Sequence, residues 1–134
     1  AQIGRLGQGD ARLVTPSVVT VKQGQTIKQN IIVGNDGADG SFTIKLTRVS
    51  TTPLESQVQA KMVLTSGPAN QHIVPSLKSG ESITIPLVIA AVSDAPLSTG
   101  LNTAQYAVEV TKNGQPYENG AFIINVEKGS GLFG

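Results

Sequence analysis

The chain alternates apolar and polar residues in short runs over most of its length. Successive side chains of a β-strand point to opposite faces of its sheet, so a period of two is typical of strands with one buried face. Glycine, proline and asparagine separate the runs, and no segment shows the 3.6-residue period of an amphipathic helix. The pattern therefore predicts an all-β protein. The clearest sets are Phe42, Ile44 and Leu46; Val58, Ala60, Met62 and Leu64; Ile83, Ile85, Leu87 and Ile89; Tyr106, Val108 and Val110; and Phe122, Ile124 and Val126.

A chain of 134 residues can form one compact domain and is too short for two of ordinary size. About seven to eight antiparallel strands separated by turns predict a two-sheet Ig-like or jelly-roll β-sandwich. We expect the sandwich over residues 11–128, with an N-terminal extension over residues 1–10 and a C-terminal tail over residues 129–134.

The first strands of the sandwich are expected to include a sheet switch and a hairpin. Pro16 interrupts the first apolar stretch, which predicts an edge strand or a change of sheet at this point. Strands over residues 26–33 and 41–49 are expected to form a hairpin whose polar tip is the loop 34–40.

A second hairpin is expected near the C-terminus, between strands 103–112 and 121–127. The loop 113–120 contains two Asn-Gly steps, which tolerate the positive φ angles of tight hairpin turns. Before these strands, residues 75–80 are expected to form a turn that leads into the longest apolar strand, residues 82–92.

Charged residues are few and balanced: 10 are lysine or arginine and 9 are aspartate or glutamate, for a net charge of +1. They form no basic stripe and no acidic tail, so we expect neither nucleic acid nor an anionic membrane as a partner. No apolar run approaches the roughly 20 residues of a membrane span. The sequence begins at Ala1, as a mature form does after removal of a signal peptide, and we expect an extracellular or cell-surface protein.

Few residues suggest chemistry, and we predict no enzyme and no bound cofactor, metal or small-molecule substrate. His72 is the one histidine and cysteine is absent, so catalysis would lack partner residues and a loop histidine is the simpler interpretation. Asn35, Asp36 and Asp39 could offer oxygens to calcium. However, Leu46 stands where an EF-hand loop counted from Asn35 needs a glutamate, and a polar turn is the alternative.

The two ends of the chain carry the residues that we consider for a subunit interface. These candidates are Ile3, Leu6, Ala11, Leu13, Leu132 and Phe133. On a monomer they would be loose ends. Beside an open sheet edge of a neighbouring copy, each buried large side chain would contribute about 1.5 to 3 kcal/mol and each ladder hydrogen bond about 0.5 to 1.5 kcal/mol. Both interpretations stay open, as does the choice of the donating terminus.

Several short motifs resemble those of exported Ig-like sandwich modules. They are Gln23-Gly24-Gln25-Thr26 and the stretches Ile31 to Gly37, Ser79 to Ile85 and Gly100 to Val110. Within that group, Gly9-Asp10-Ala11 leading into a sandwich resembles the mature N-terminus of TasA/camelysin-type fibre subunits and their archaeal bundling-pilin relatives, mainly over residues 1–50. The resemblance implies a biofilm-matrix filament in which an N-terminal donor strand, here within Ala1 to Leu13, fills a groove in the next subunit.

Two classes of function are consistent with these features. The first is a structural subunit of an extracellular filament, a pilus or biofilm fibre, that assembles head-to-tail with copies of itself by donor-strand exchange. The alternative is a monomeric Ig-like adhesive or spacer module of a larger cell-surface protein, or a viral structural protein.

Overall fold

The computed structural model describes residues 2–5, 12–63, 70–98 and 103–129, and for residues 2–5 it describes the backbone alone. Ten β-strands and no helix occur in these ranges, which confirms the predicted all-β class. Nothing within the same ranges forms a helix that could cross a lipid bilayer. The strands are β1 (Gln2–Arg5), β2 (Leu13–Val14), β3 (Val18–Lys22), β4 (Thr26–Gly34), β5 (Gly40–Arg48), β6 (Val58–Met62), β7 (Gln71–Leu77), β8 (Glu81–Ala91), β9 (Ala104–Lys112) and β10 (Gln115–Glu127).

The strands form two packed sheets of five strands each. In the first sheet, β4 pairs with one edge of β8 and is followed by β2, while β1 and β6 share the other edge of β8. The second sheet has the order β3-β10-β9-β5-β7. β3 runs parallel to β10, and the other described pairs are antiparallel. This arrangement confirms the predicted two-sheet, Ig-like sandwich.

The alternating apolar residues of both sheets meet in one core. Ile44, Ile85 and Val108 represent three of the central strands, and each is fully shielded from solvent. The rings of Tyr106 and Phe122 stack between neighbouring strands, with centroids 5.5 Å apart. Because burial of a large apolar side chain contributes about 1.5 to 3 kcal/mol, this core is the main source of stability.

Pro16 marks the point where the chain changes sheets, as predicted. β2 pairs with β4 in the first sheet, and β3 pairs with β10 in the second. Proline has no backbone N–H, so a break between two edge strands is a position where it costs no ladder bond. Gly120 of β10 lies against this crossing: a Cβ there would come within 3.1 Å of the side chains of Leu13 and Thr15.

The predicted hairpin of β4 with β5 is wrong. β4 pairs with β8 and β2, whereas β5 pairs with β9 and β7, so the polar loop of residues 35–39 crosses from the first sheet to the second. Each strand has a buried face, with Val33 near the end of β4 and Phe42 near the start of β5. Alternation reveals that face but not the sheet in which the strand lies, which is why it could not identify the partners.

The hairpin of β9 with β10 is confirmed, but its turn is shorter than predicted. Asn113 and Gly114 have φ angles of 52° and 79°, as both central residues of a type I′ turn require. β10 therefore begins directly after this turn, and a β-bulge between Pro116 and Glu118 accommodates the proline. The second Asn-Gly step lies inside β10.

Strand β7 was missed by the sequence prediction, which placed a turn from Pro75 onward. It pairs with β5 as the outer strand of the second sheet. An outer strand tolerates proline because one side of its backbone carries no ladder bonds. A bulge in this ladder separates the buried residues Val74 and Leu77 by three positions, so the period of two is lost. His72 accordingly lies in a strand, and its predicted place in a loop is wrong.

Arg48 fastens the connection between β5 and β6, which passes from the second sheet to the first. Its guanidinium donates to the carbonyl oxygen of Pro53 and, at 2.8 Å, to that of Val58. Nearby, the N–H of Ala60 donates to the hydroxyl oxygen of Tyr106 at 3.0 Å. These bonds hold the segment between β5 and β6, residues 49–57, against the core.

Candidate assembly site along strand β8

Strand β8 has one edge that two short strands share. β4 covers the other edge along nearly its whole length. On the shared edge, β1 pairs with residues 81–84 and β6 pairs with residues 87–91. Pro86, which has no N–H to donate, lies between the two pairings. The edge from Glu81 to Thr84 is therefore closed by four residues from the start of the chain, and we call this edge the β8 slot.

One row of apolar positions crosses the first sheet and includes β1. Ile3 is paired with Ile83, which is paired in turn with Val33, and Val33 is paired with Leu13. Ile83 and Val33 are buried, and Leu13 packs against the core. The backbone register thus sets position 3 directly opposite the buried Ile83.

A buried amide holds the loop beside the β8 slot. The Asn35 side chain is fully buried, and its Nδ2 donates to the carbonyl oxygens of Ala38 at 2.9 Å and Leu77 at 2.8 Å. Its Oδ1 accepts from the N–H of Gly37 at 3.1 Å and from Nζ of Lys112 at 2.9 Å. With all its polar atoms bonded, Asn35 can remain in the interior without the cost of an unsatisfied group.

The backbone of Asn35 also fixes the first residue of the slot. The N–H of Asn35 donates to the carbonyl oxygen of Glu81 at 2.8 Å. The carbonyl oxygen of Asn35 accepts from the N–H of Gly80 at 2.7 Å. Gly80 has a φ of 82°, which a residue with a side chain rarely adopts. Oε1 of Glu81 accepts from the N–H of Lys78 at 2.8 Å. Both the backbone and the carboxylate of Glu81 are therefore held in place.

The loop considered for calcium directs its oxygens toward protein donors. Oδ1 of Asn35 lies 2.9 Å from the ammonium group of Lys112, a cation supplied by the chain itself. Oδ1 of Asp39 accepts from the N–H of Ser79 at 2.8 Å. Across the described ranges, no three His, Cys, Asp or Glu side chains come together in a way that could hold a metal ion. The polar-turn interpretation of this loop accounts for its contacts.

Arg12 ties the chain to the sandwich just before β2. Its guanidinium carbon lies 3.8 Å from the centre of the Tyr117 ring, and its Nε lies 3.5 Å from Oδ1 of Asp36. A hydrogen bond with Tyr117 is the largest cause of a raised pKa for Arg12. The Tyr117 hydroxyl donates to the carbonyl oxygen of Gly34 at 2.5 Å, and its ring packs edge-on against Phe42. These contacts therefore fix the position of the chain at the residue before β2.

Sequence reasoning did not single out Arg12 or Tyr117, because an isolated charge and an aromatic residue in a predicted loop give no periodic signal. It did consider His72, which lies in β7 opposite Ile44 of β5. Burial lowers the pKa of its imidazole. Within the part of the chain that the structure describes, no cavity forms a ligand pocket.

The six residues predicted for a subunit interface divide into two groups. Four lie outside the described residues: Leu6, Ala11, Leu132 and Phe133. The other two, Ile3 and Leu13, are brought into one row of the first sheet. Within one molecule, the N-terminal extension thus contributes a strand to its own sheet. Its donation to a neighbouring copy stays a prediction.

Comparison with known proteins identifies the fold but no family. No family model and no curated protein matches the sequence. The chain is similar to a family 123 glycoside hydrolase from Clostridium perfringens, with 11% identity and a TM-score of 0.50 over 83% of this chain and 22% of the hydrolase. This likeness supports the fold alone, and the resemblance to TasA/camelysin-type subunits stays a prediction.

Two further solved structures have lower TM-scores. Spo0M, a sporulation control protein from Bacillus subtilis, has 10% identity and a TM-score of 0.48 over 94% of this chain and 49% of Spo0M. The collagen-binding subdomain of the Enterococcus faecalis surface protein ACE has 8% identity and a TM-score of 0.42 over 90% of this chain and 99% of the subdomain. This chain thus spans less than a quarter of the hydrolase and about half of Spo0M.

Proposed function

We propose that this protein is a structural subunit of an extracellular filament, in which β1 of one copy occupies the β8 slot of the next. The observation that carries the proposal is the pairing of the first strand of the chain with the edge of a central strand. A strand at one place on the molecule and an edge at another make a head-to-tail contact, which repeats without closing and so builds an open polymer. The partner is another copy of the same chain.

The N-terminal arm is long enough to reach a neighbouring copy. Arg12 is held by Tyr117, and the eleven residues before it, which we call the N-terminal arm, can span at most about 36 to 40 Å. A compact domain of this size has a radius of gyration of about 14 Å, which corresponds to a diameter of about 36 Å.

The pairing of β1 within one copy is weak enough to open. Four residues make about two to four ladder bonds worth roughly 1 to 6 kcal/mol. Ordering four residues costs about 4 to 8 kcal/mol, so gain and cost nearly cancel. The β1 strand of a second copy forms the same pairing, and protein concentration therefore decides between the closed monomer and the polymer.

Deletion of residues 1–9 tests the proposal. We expect a folded monomer by circular dichroism and light scattering, with no filaments in negative-stain electron microscopy. Deletion of residues 129–134 is the matched control, because it shortens the other end and leaves the β8 slot and its strand intact. Filaments that persist without residues 1–9, or that disappear only with the C-terminal deletion, would contradict donation by the N-terminus.

A monomeric Ig-like adhesive or spacer module is the second candidate. One observation favours it: β1 closes the β8 slot of its own chain, so a single copy has its central strand paired along both edges. Light scattering at high protein concentration separates the candidates. A single species at the monomer mass of 13.9 kDa would support the module, and mass that grows with concentration would support the filament subunit.

A further inference from the structure

The four residue pairs between β1 and the β8 slot are matched in chemical character. One pair is apolar, one consists of two small residues, one of two polar residues, and one of oppositely charged residues. The pairs are Ile3 with Ile83, Gly4 with Ser82, Gln2 with Thr84, and Arg5 with Glu81. A shift of one residue would place Ile3 opposite Ser82 or Thr84 and move it to the outer face of the sheet. The match therefore holds in one register only.

Glu81 is the one charged residue of the β8 slot, and residues outside β1 hold it in position. Its carboxylate accepts from the N–H of Lys78, and its carbonyl oxygen accepts from the N–H of Asn35. Neither bond involves β1. A residue of fixed position and negative charge at the entrance of the slot can discriminate between strands that carry a positive or a negative residue opposite it.

We infer that the β8 slot recognises its strand by sequence. It selects an antiparallel Gln-Ile-Gly-Arg segment of a second copy, with Glu81 opposite position 5 and Ile83 opposite position 3 as the residues that set the register. This inference rests on the proposed function for the identity of the partner. The apolar pair supplies affinity through burial, whereas the charged pair supplies selectivity, because like charges at directly opposite positions are destabilising.

Charge reversal in the full chain tests recognition within one copy. We expect Arg5→Glu and Glu81→Arg each to raise the hydrogen exchange rates of the amides of residues 82 and 84, and of residues 4 and 2 opposite them, by about five- to tenfold. The double variant restores the attraction with the signs exchanged, so its rates should return to within about twofold of the wild type. Lys28→Glu is the matched control for Arg5→Glu, since it makes the same charge change on an exposed face of β4. Equal rates in all variants would overturn the inference.

Mixing the two single variants tests recognition between copies. Alone, each variant sets like charges against each other, so its assembly should be reduced. In an equal mixture, the β1 strand of the Arg5→Glu variant meets a positive residue in the slot of the Glu81→Arg variant. The β1 strand of the Glu81→Arg variant likewise meets a negative residue in the slot of the Arg5→Glu variant. We expect filaments in which the two variants alternate, measured with two fluorescent labels.

The two tests separate failure of the inference from failure of the proposed function. If the wild type forms filaments and the mixture assembles no better than each variant alone, sequence recognition is overturned and the filament proposal stands. If the exchange rates show the charge coupling but neither the wild type nor the mixture assembles, the filament proposal fails, and with it the second copy as partner.

Discussion

Asn35→Ala is the substitution whose cost follows most directly from the structure. It removes four hydrogen bonds of a fully buried side chain. The carbonyl oxygen of Leu77 would be left without this donor in the interior, at a cost of about 1 to 3 kcal/mol. The other three bonds are partly buried, and the loss of each costs about 0.5 to 1.5 kcal/mol. The free energy of unfolding should therefore fall by roughly 3 to 7 kcal/mol.

A loss of this size is large for a domain of 134 residues. At about 0.05 to 0.15 kcal/mol per residue, its total free energy of unfolding is roughly 7 to 20 kcal/mol. With an unfolding entropy of about 2.1 cal/mol/K per residue, the expected loss lowers the melting temperature by roughly 11 to 25 °C. The variant should remain folded at room temperature or lie close to its unfolding midpoint.

Differential scanning calorimetry and urea unfolding followed by far-UV circular dichroism measure the effect. Asn30→Ala is the matched control, because Asn30 is an exposed residue of the same strand that leads to Asn35. Its free energy of unfolding should change by about 0.5 kcal/mol or less. If Asn35→Ala loses less than about 1 kcal/mol, or no more than the control, the buried amide does not hold the loop as described.

Three further substitutions probe other contacts. Tyr117→Phe keeps the aromatic ring but removes the hydroxyl that donates to the carbonyl oxygen of Gly34. The free energy of unfolding, measured in urea, should fall by about 1 to 2 kcal/mol, and an unchanged midpoint would refute the role of this bond. Gly120→Val places a Cβ within 3.1 Å of the Leu13 side chain. Calorimetry should show that the free energy of unfolding falls by about 1 to 3 kcal/mol, and an unchanged value would mean that β2 does not pack against this position. Burial lowers the folded-state pKa of His72 below 6.5, so the unfolded chain binds a proton at this imidazole more readily than the folded chain does. The free energy of unfolding therefore falls as the pH decreases through 6.5 toward the folded-state pKa. His72→Gln should remove this part of the pH dependence in urea unfolding between about pH 7.5 and 5.5, and an identical slope would contradict the assignment.

The strands were predictable where burial follows a strict period of two. β8 and β9 lie within a residue or so of their predicted ends, because their buried apolar residues alternate without interruption. β7 escaped prediction because a bulge places Val74 and Leu77 three positions apart and Pro75 looks like a turn signal. Local pattern thus identifies a strand only where the ladder is regular.

Strand partners and the loop network were harder to predict, because they depend on contacts between distant residues. The hairpin of β9 and β10 was predictable from its Asn-Gly turn, whereas β4 and β5 each have an inward face and carry no signal for the sheet to which they belong. Asn35 looks like an ordinary turn residue in the sequence. Its role depends on Leu77 and Lys112, which become its neighbours only after the sandwich has formed.

The candidate site was predicted in part. The N-terminal extension drew attention because it carries Ile3 among small and polar residues, but its pairing with Glu81 to Thr84 could not be foreseen. The matched register becomes visible only when β1 and β8 are set side by side. Arg12, which fixes the start of the arm, gave no signal at all.

A disulfide placed across the β8 slot tests most directly whether β1 passes between copies. Gly4 and Ser82 are opposite each other, and opposite residues have Cα atoms about 4.5 to 5.5 Å apart, which a disulfide can bridge. The chain has no cysteine, so any disulfide in the Gly4→Cys, Ser82→Cys double variant joins introduced residues only. Each single variant, oxidised alone, is the control for bonds between like positions of two copies. After oxidation at a concentration where the wild type forms filaments, a non-reducing gel should show a ladder of covalent multimers that collapses to one band on reduction. A single band of internally linked monomer under the same conditions would contradict strand exchange.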